Sequence, residues 1–310
     1  MSLPGKVLYH TWHRPAGWVR DLIDDGGPFE RRRTKLGRRE MEVSARRLPA
    51  LPPGAGSPLE LHLLTGRKFW YQTAFCLWTF ARHAGRPLTP VLYDDGTLAP
   101  EHRDLLARVF PAARFIAQAD ILARLDACLP IARFPALRER WLNYPNIRKL
   151  TDVHAGRRGW KLVIDSDLLF FRSPRLLIDW LDQPAQPLHA VDCRTSYGYS
   201  RALMNELAGR PVADLVNVGL TGLNGGELDW ERLESWCATL IARERTNYYL
   251  EQALVALLVA GRPCTVAPAA DYVTLPVAPE ARACRAVMHH YVANSKRDYF
   301  QRNWRVALAR

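Results

Sequence analysis

From residue 59 onward the chain alternates short strand-like and longer helix-like segments, and this alternation most narrows the folds open to it. Residues 59–64 alternate apolar and polar side chains, read as a strand, and are stopped by Thr65-Gly66. Helical spacing over 69–83 ends at Gly85. A second strand over 88–93 runs into Asp94-Asp95-Gly96, a helix follows over 101–109, and a third strand over 113–116. Helical stretches at 121–129 and 137–154 lead to a fourth strand that begins at Trp160. Strands separated by helices at this spacing predict an α/β fold with a largely parallel central sheet flanked by helices. Further on, the pattern predicts a helix over 174–181, strands over 188–192 and 215–221, and helices over 230–243 and 248–260. Residues 262–275 read as extended, and from His289 a loop leads to a short aromatic, basic tail. Trp70, Trp78, Trp141, Trp180 and Trp236 sit in helical contexts and are expected in the core.

The fourth strand carries the most chemistry. Its apolar run Leu162-Val163-Ile164 ends in Asp165-Ser166-Asp167. If the strand continues through them, both carboxylates point to one face. Ligands of open α/β sheets bind outside the carboxyl ends of strands. Two like charges this close repel, and a divalent cation removes the conflict; hard oxygen ligands suit Mg²⁺ or Mn²⁺. The simplest reading is a metal site that holds a phosphorylated ligand. An Asp-x-Asp after an apolar run also fits a turn or a helix cap.

Composition bounds the remaining classes. The 310 residues suffice for one large domain or two small ones, and 48% of them are apolar. None of the six cysteines forms a Cys-x-x-Cys pair, which argues against a zinc knuckle or dithiol motif and for a reducing compartment. Met-Ser-Leu-Pro-Gly-Lys at the start lacks a signal-peptide core, and the apolar run 253–260 is far short of the roughly 20 residues of a membrane span. The expected location is therefore cytoplasmic, or peripheral to a membrane. Net charge is +12, and residues 31–47 alone contribute half of it through eight Lys or Arg against Glu40 and Glu42. Residues 1–56 read as a basic N-terminal extension with a strand over 6–10, with 49–58 as a Pro/Gly-rich linker and 57–310 as the main domain. The segment 31–47 suits an anionic surface, a polyanionic acceptor or nucleic acid, or is simply a solvated basic helix or loop.

Four local motifs, in order, resemble the nucleotide-sugar glycosyltransferases of GT-A fold. Asp165-Ser166-Asp167 follows a βαβα half. Val216-Asn217-Val218-Gly219-Leu220 is similar to the Asn-x-Gly strand of family-8 transferases such as glycogenin. Leu250-Glu251-Gln252-Ala253 resembles that family's Asp-Gln-Asp element, and His290 to Lys296 keeps its His-x-x-Gly-x-x-Lys spacing with Ala293 for Gly. Glu251 replaces Asp, Ala253 replaces the last Asp, and Arg297 stands where the family often has Pro.

The resemblance implies a metal-dependent transferase using a nucleotide-sugar donor, with Mn²⁺ or Mg²⁺ as cofactor. It places Asp167 and His290 on the metal, and Asp165 on ribose or metal. A nitrogen ligand leans the choice towards Mn²⁺. Lys296 and Arg297 would meet the departing phosphates. Asn217 and Gly219 would lie against the sugar, the glycine allowing close backbone approach. Glu251 could accept the acceptor's proton, which suits inversion; the family instead implies retention, with Gln252 near the sugar. Thr65, Gly66, Asp94 and Asp95 would flank base and ribose. An Asp accepting from uracil N3–H makes UDP the first choice, although Asp94-Asp95-Gly96 equally fits a turn. The acceptor is left open as a glycan, lipid, protein or small molecule. Lys149 and His154, on the preceding helix, either face the phosphates or pack at the core edge, the latter being the simpler reading.

Three rivals share parts of this pattern. A haloacid-dehalogenase-type phosphatase also has Asp-x-Asp after an apolar strand, but begins its core with that strand and needs a later acidic pair. A sugar-phosphate nucleotidyltransferase shares the general fold but wants a Gly-rich basic loop after the first strand, of which Thr65-Gly66-Arg67-Lys68 is a faint echo. A basic nucleic-acid-binding module would use the 31–47 segment but lacks a stacking motif.

Overall fold

A computed structural model of the chain describes residues 26–51 and 54–310. The start of the chain, including a strand expected over residues 6–10, lies outside the described residues. The central sheet has seven strands: β1 (Leu59–Thr65), β2 (Leu88–Asp94), β3 (Arg114–Ile116), β4 (Trp160–Ile164), β6 (Leu188–Val191), β7 (Val216–Asn224) and β8 (Thr265–Ala267), in the order β3-β2-β1-β4-β7-β6-β8. A second sheet, β5 (Leu168–Phe170), β10 (Met288–His290) and β9 (Tyr272–Thr274), stands beside it in the order β5-β10-β9.

β1 pairs parallel with β2 and β4, β2 with β3, and β6 with β8. Only β7 runs against its neighbours β4 and β6. The largely parallel α/β sheet expected from the alternation is therefore present, with one reversed strand. Both faces of the sheet are covered. On one face the Trp70–Ala84 helix is buried along nearly its whole length. The C-terminal Trp304–Ala309 helix sets Trp304 edge-on to Phe75 beside it, with ring centroids 5.4 Å apart. On the other face the apolar Leu250–Val259 helix packs with Trp141 and Trp236. All five tryptophans expected inside are at most 5% exposed. Burying side chains of this size contributes about 1.5–3 kcal/mol each.

Three local expectations are corrected. The stretch read as one helix over 137–154 is a helix Pro135–Asn143, a 3₁₀ turn Pro145–Ile147 and a helix Arg148–His154. Pro145 has no amide hydrogen and forces the residue before it out of helical geometry, so the segment bends there. The fourth strand does not continue through the aspartates: β4 ends at Ile164, and Asp165–Asp167 is a turn between β4 and β5. His289 and His290, expected in a loop, belong to β10.

The basic segment forms an 18-residue helix, Pro28–Ala45, seated on the C-terminal turns. A Cβ at Gly37 would lie 2.8 Å from the Phe300 carbonyl carbon, so the missing side chain permits this backbone-to-backbone approach. Met41 and Ala45 join the core. Arg38 donates to the Tyr71 hydroxyl at 2.6 Å. Among the described residues no helix is long and apolar enough to cross a membrane.

Candidate active site

The site forms where the two sheets meet, at the carboxyl end of β4. The Asp165 amide donates to the Gly219 carbonyl at 2.9 Å, which ties the turn after β4 to β7. Antiparallel pairing sets His290 opposite Leu168, and the Tyr291 amide donates to the Asp167 carbonyl at 3.1 Å. The pairing of β5 with β10 therefore brings together residues more than 120 positions apart. Alternation along β10 separates the two histidines. His289 is fully buried and bonded to Glu280 at 2.9 Å and to the Tyr291 hydroxyl at 3.0 Å. His290 alone turns to the aspartates.

Ligand atoms of Asp165, Asp167 and His290 lie within 4.8 Å of one another. His290 Nε2 is 3.6 Å from Asp165 Oδ2 and 3.5 Å from Asp167 Oδ1. The other oxygen of each carboxylate is held by a lysine. Lys149 Nζ donates to Asp165 Oδ1 at 2.9 Å, and Lys296 Nζ lies 3.1 Å from Asp167 Oδ2. The lysines thus fix each carboxylate so that its remaining oxygen converges on the imidazole. Partners of this kind orient ligands and sharpen a metal site.

The donor set suits a divalent cation: two carboxylate oxygens converge with the Nε2 of one imidazole. Burial by itself would push the Asp167 carboxyl up, but Lys296 and His290 outweigh burial and hold it well below the usual carboxylate range.

Lys149 is the residue whose role the sequence obscured. Helical position alone suggested packing at the core edge. Its ammonium instead makes a complete set of three contacts: Asp165 Oδ1, the Val218 carbonyl at 3.3 Å and Glu251 Oε2 at 3.4 Å. An ammonium has three N–H donors, so the group is saturated. Burial opposes its charge, yet Asp165 and Glu251 raise its pKa overall. Glu251 is only 5% exposed; burial pushes its carboxyl up, Lys149 only partly offsets this, and the result is about 7.

The remaining sequence-selected residues divide. Asn217 is buried at the β6–β7 irregularity, and its Oδ1 accepts from the Gly219 amide at 2.9 Å. Gln252 donates to Asp192 Oδ2 at 2.8 Å. Asp192 follows the end of β6 and was not singled out from sequence; an acidic residue just past a strand end was the available signal.

Thr65 and Asp94 lie side by side at the carboxyl ends of β1 and β2. A side chain on Gly66 would collide with the Asp95 carboxylate. Asp94 accepts from the amides of Gly96 and Leu98, and Asp95 from the Thr97 amide and hydroxyl. Both aspartates thereby shape the loop after β2. Arg297 points away from the carboxylates: it is exposed, and a Cβ at Gly26 would lie 2.9 Å from its Nη1.

No protein-family model and no curated protein matches the chain. Solved structures do. The bifunctional glycosyltransferase WbbM is similar over 78% of this chain and 47% of its own, at 14% identity and TM-score 0.50. Mouse xyloside xylosyltransferase 1 is similar over 77% of this chain and 99% of its own, at 13% identity and TM-score 0.49. The galactosyltransferase LgtC, solved with donor and acceptor sugar analogues, is similar over 78% of this chain and 83% of its own, at 14% identity and TM-score 0.47. The fold is GT-A, the mixed α/β fold of nucleotide-sugar glycosyltransferases.

Proposed function

We propose that this chain is a divalent-cation-dependent glycosyltransferase that moves a sugar from a nucleotide diphosphate to an acceptor, with UDP as the carrier and Mn²⁺ as the cation to test first. One observation carries the reading: Asp165, Asp167 and His290 converge at the carboxyl end of the sheet, with Lys296 beside them. That is where this fold class offers a ligand site.

Asp165, Asp167 and His290 would hold the cation, which when bound supplies charge neutralisation for a leaving diphosphate. Lys296 is 42% exposed at the rim, so its ammonium can swing from Asp167 to a phosphate oxygen. Glu251 has the role of holding Lys149, which in turn aims Asp165. Gln252, braced by Asp192, offers its amide on the sugar side, in keeping with a family-8 affinity and retention. Asn217 locks the Gly219 backbone. Thr65, Gly66, Asp94 and Asp95 form the wall for ribose and base. The three strands that precede β4, the strand leading into the Asp-x-Asp turn, weigh against a dehalogenase-type phosphatase.

A thermal-shift titration tests this directly. UDP with Mn²⁺ is expected to raise the melting temperature of the wild type, because a ligand that binds only the native state stabilises it by mass action. UDP without metal should give a much smaller shift. Asp167→Asn, folded but unable to complete the cluster, should lose the metal-dependent part of the shift and at least about 100-fold in donor turnover. A full Mn²⁺-dependent shift in that variant would remove the basis of the proposal.

A further inference from the structure

The Pro28–Ala45 helix has an outer face that the transferase site does not use. Its inner face is committed to the core through Gly37, Met41 and Ala45. On the opposite side Phe29 is 81% exposed, Leu36 45% and Val43 52%. These three residues are seven apart, so at 3.6 residues per turn they form one stripe along the helix. Arg32 and Arg39 run parallel to the stripe along one flank, with Lys35 just beyond them. Arg33 borders it on the other side, and the exposed Arg47 lies in the turn just past the helix end. Among the described residues Arg32, Lys35, Arg39 and Arg47 have no ion-pair partner.

We propose that this outward face is a docking surface for an anionic lipid bilayer. The argument rests on charge complementarity together with the apolar stripe. Unpaired arginines and a lysine attract acidic headgroups, and three large apolar side chains at heptad spacing enter the headgroup–acyl boundary. A nucleic acid would satisfy the basic flanks but offers nothing to Phe29, Leu36 and Val43. The helix lies rigidly on the catalytic body, so docking fixes the orientation of the whole protein. Its N-terminal end lies beside the Arg297 side chain, which points away from the candidate site.

The test is co-sedimentation of the full chain with vesicles of phosphatidylcholine alone or with 30% phosphatidylglycerol, across a salt series. The wild type is expected to bind the anionic vesicles and not the neutral ones. A Phe29→Ser/Leu36→Ser/Val43→Ser variant should bind at least about tenfold more weakly, and its residual binding should fall more steeply with salt. An Arg32→Gln/Lys35→Gln/Arg39→Gln/Arg47→Gln variant should lose at least about a hundredfold. All seven side chains lie outside the core, and unchanged melting temperatures confirm that the variants are folded. The proposal is overturned if anionic vesicles are not bound. It is equally overturned if the serine variant binds them as the wild type does, or if duplex DNA is bound more tightly than the vesicles. Nucleotide-dependent thermal shifts in both variants should match the wild type, which separates this result from the fate of the transferase reading.

Discussion

Gly219 lies directly against His290: a Cβ built on the glycine would sit 2.5 Å from Nδ1 of the imidazole. The contact matters because the same glycine carbonyl accepts the Asp165 amide, so one residue on β7 positions both the imidazole and the first aspartate.

Gly219→Ala is therefore expected to displace the His290 ring while leaving its chemistry intact. Mn²⁺ affinity should fall about 10- to 100-fold, the range seen when support of a metal ligand is lost. Calorimetric titration of Mn²⁺ in the presence of UDP measures this. Unchanged affinity would show that His290 is not a ligand.

Glu251 predicts a pH dependence with a definite sign. Its folded pKa of about 7 lies above the ordinary 4.5, so the folded state favours the protonated form. The associated stability is present below about pH 4.5 and is lost as pH rises through 7. A shift of this size is worth about 3 kcal/mol. In chelator-treated protein, Glu251→Gln should therefore be only slightly more stable than wild type at pH 5, and more stable by up to about 3 kcal/mol at pH 8. Denaturant melts at several pH values check it; parallel stability curves for the two proteins would rule the account out.

Lys149 and Glu251 should behave as a coupled pair. Lys149→Met leaves two carboxylates without their cation and should cost about 3–5 kcal/mol at pH 8, as removing one partner of a buried pair does. Adding Glu251→Gln to that variant should recover part of the loss. A double-mutant cycle yields the coupling, and strict additivity would contradict the contact's importance.

Legibility from sequence followed the range of the interaction. The apolar runs of β1, β2 and β4, the stop at Gly85 and the Asp-x-Asp position could be read directly, because each depends on neighbours within one segment. The break at Pro145 was legible too, yet the helical spacing on either side masked it. Lys149 was misjudged for a different reason. On a helix wheel it is one basic residue at a core edge, and nothing nearby in sequence marks it as the partner of Asp165 and Glu251. The outer stripe of the N-terminal helix shows the same division. Its charge was visible, but only the seating of Gly37 on Phe300 decided which side remained exposed.

By itself the sequence determined the alternation of strands and helices, the placement of two carboxylates past a strand end, and the basic character of residues 31–47. These depend on periodicity and local chemistry. The resemblance had placed Asp165, Asp167, His290 and Lys296 around one ligand; tertiary structure alone decided that Lys149 and Glu251 join them. Their convergence comes from the reversed strand β7 and from the pairing of β5 with β10, contacts between residues far apart in the chain. Local propensity cannot encode which distant partners will meet; the burial of both sheet faces does.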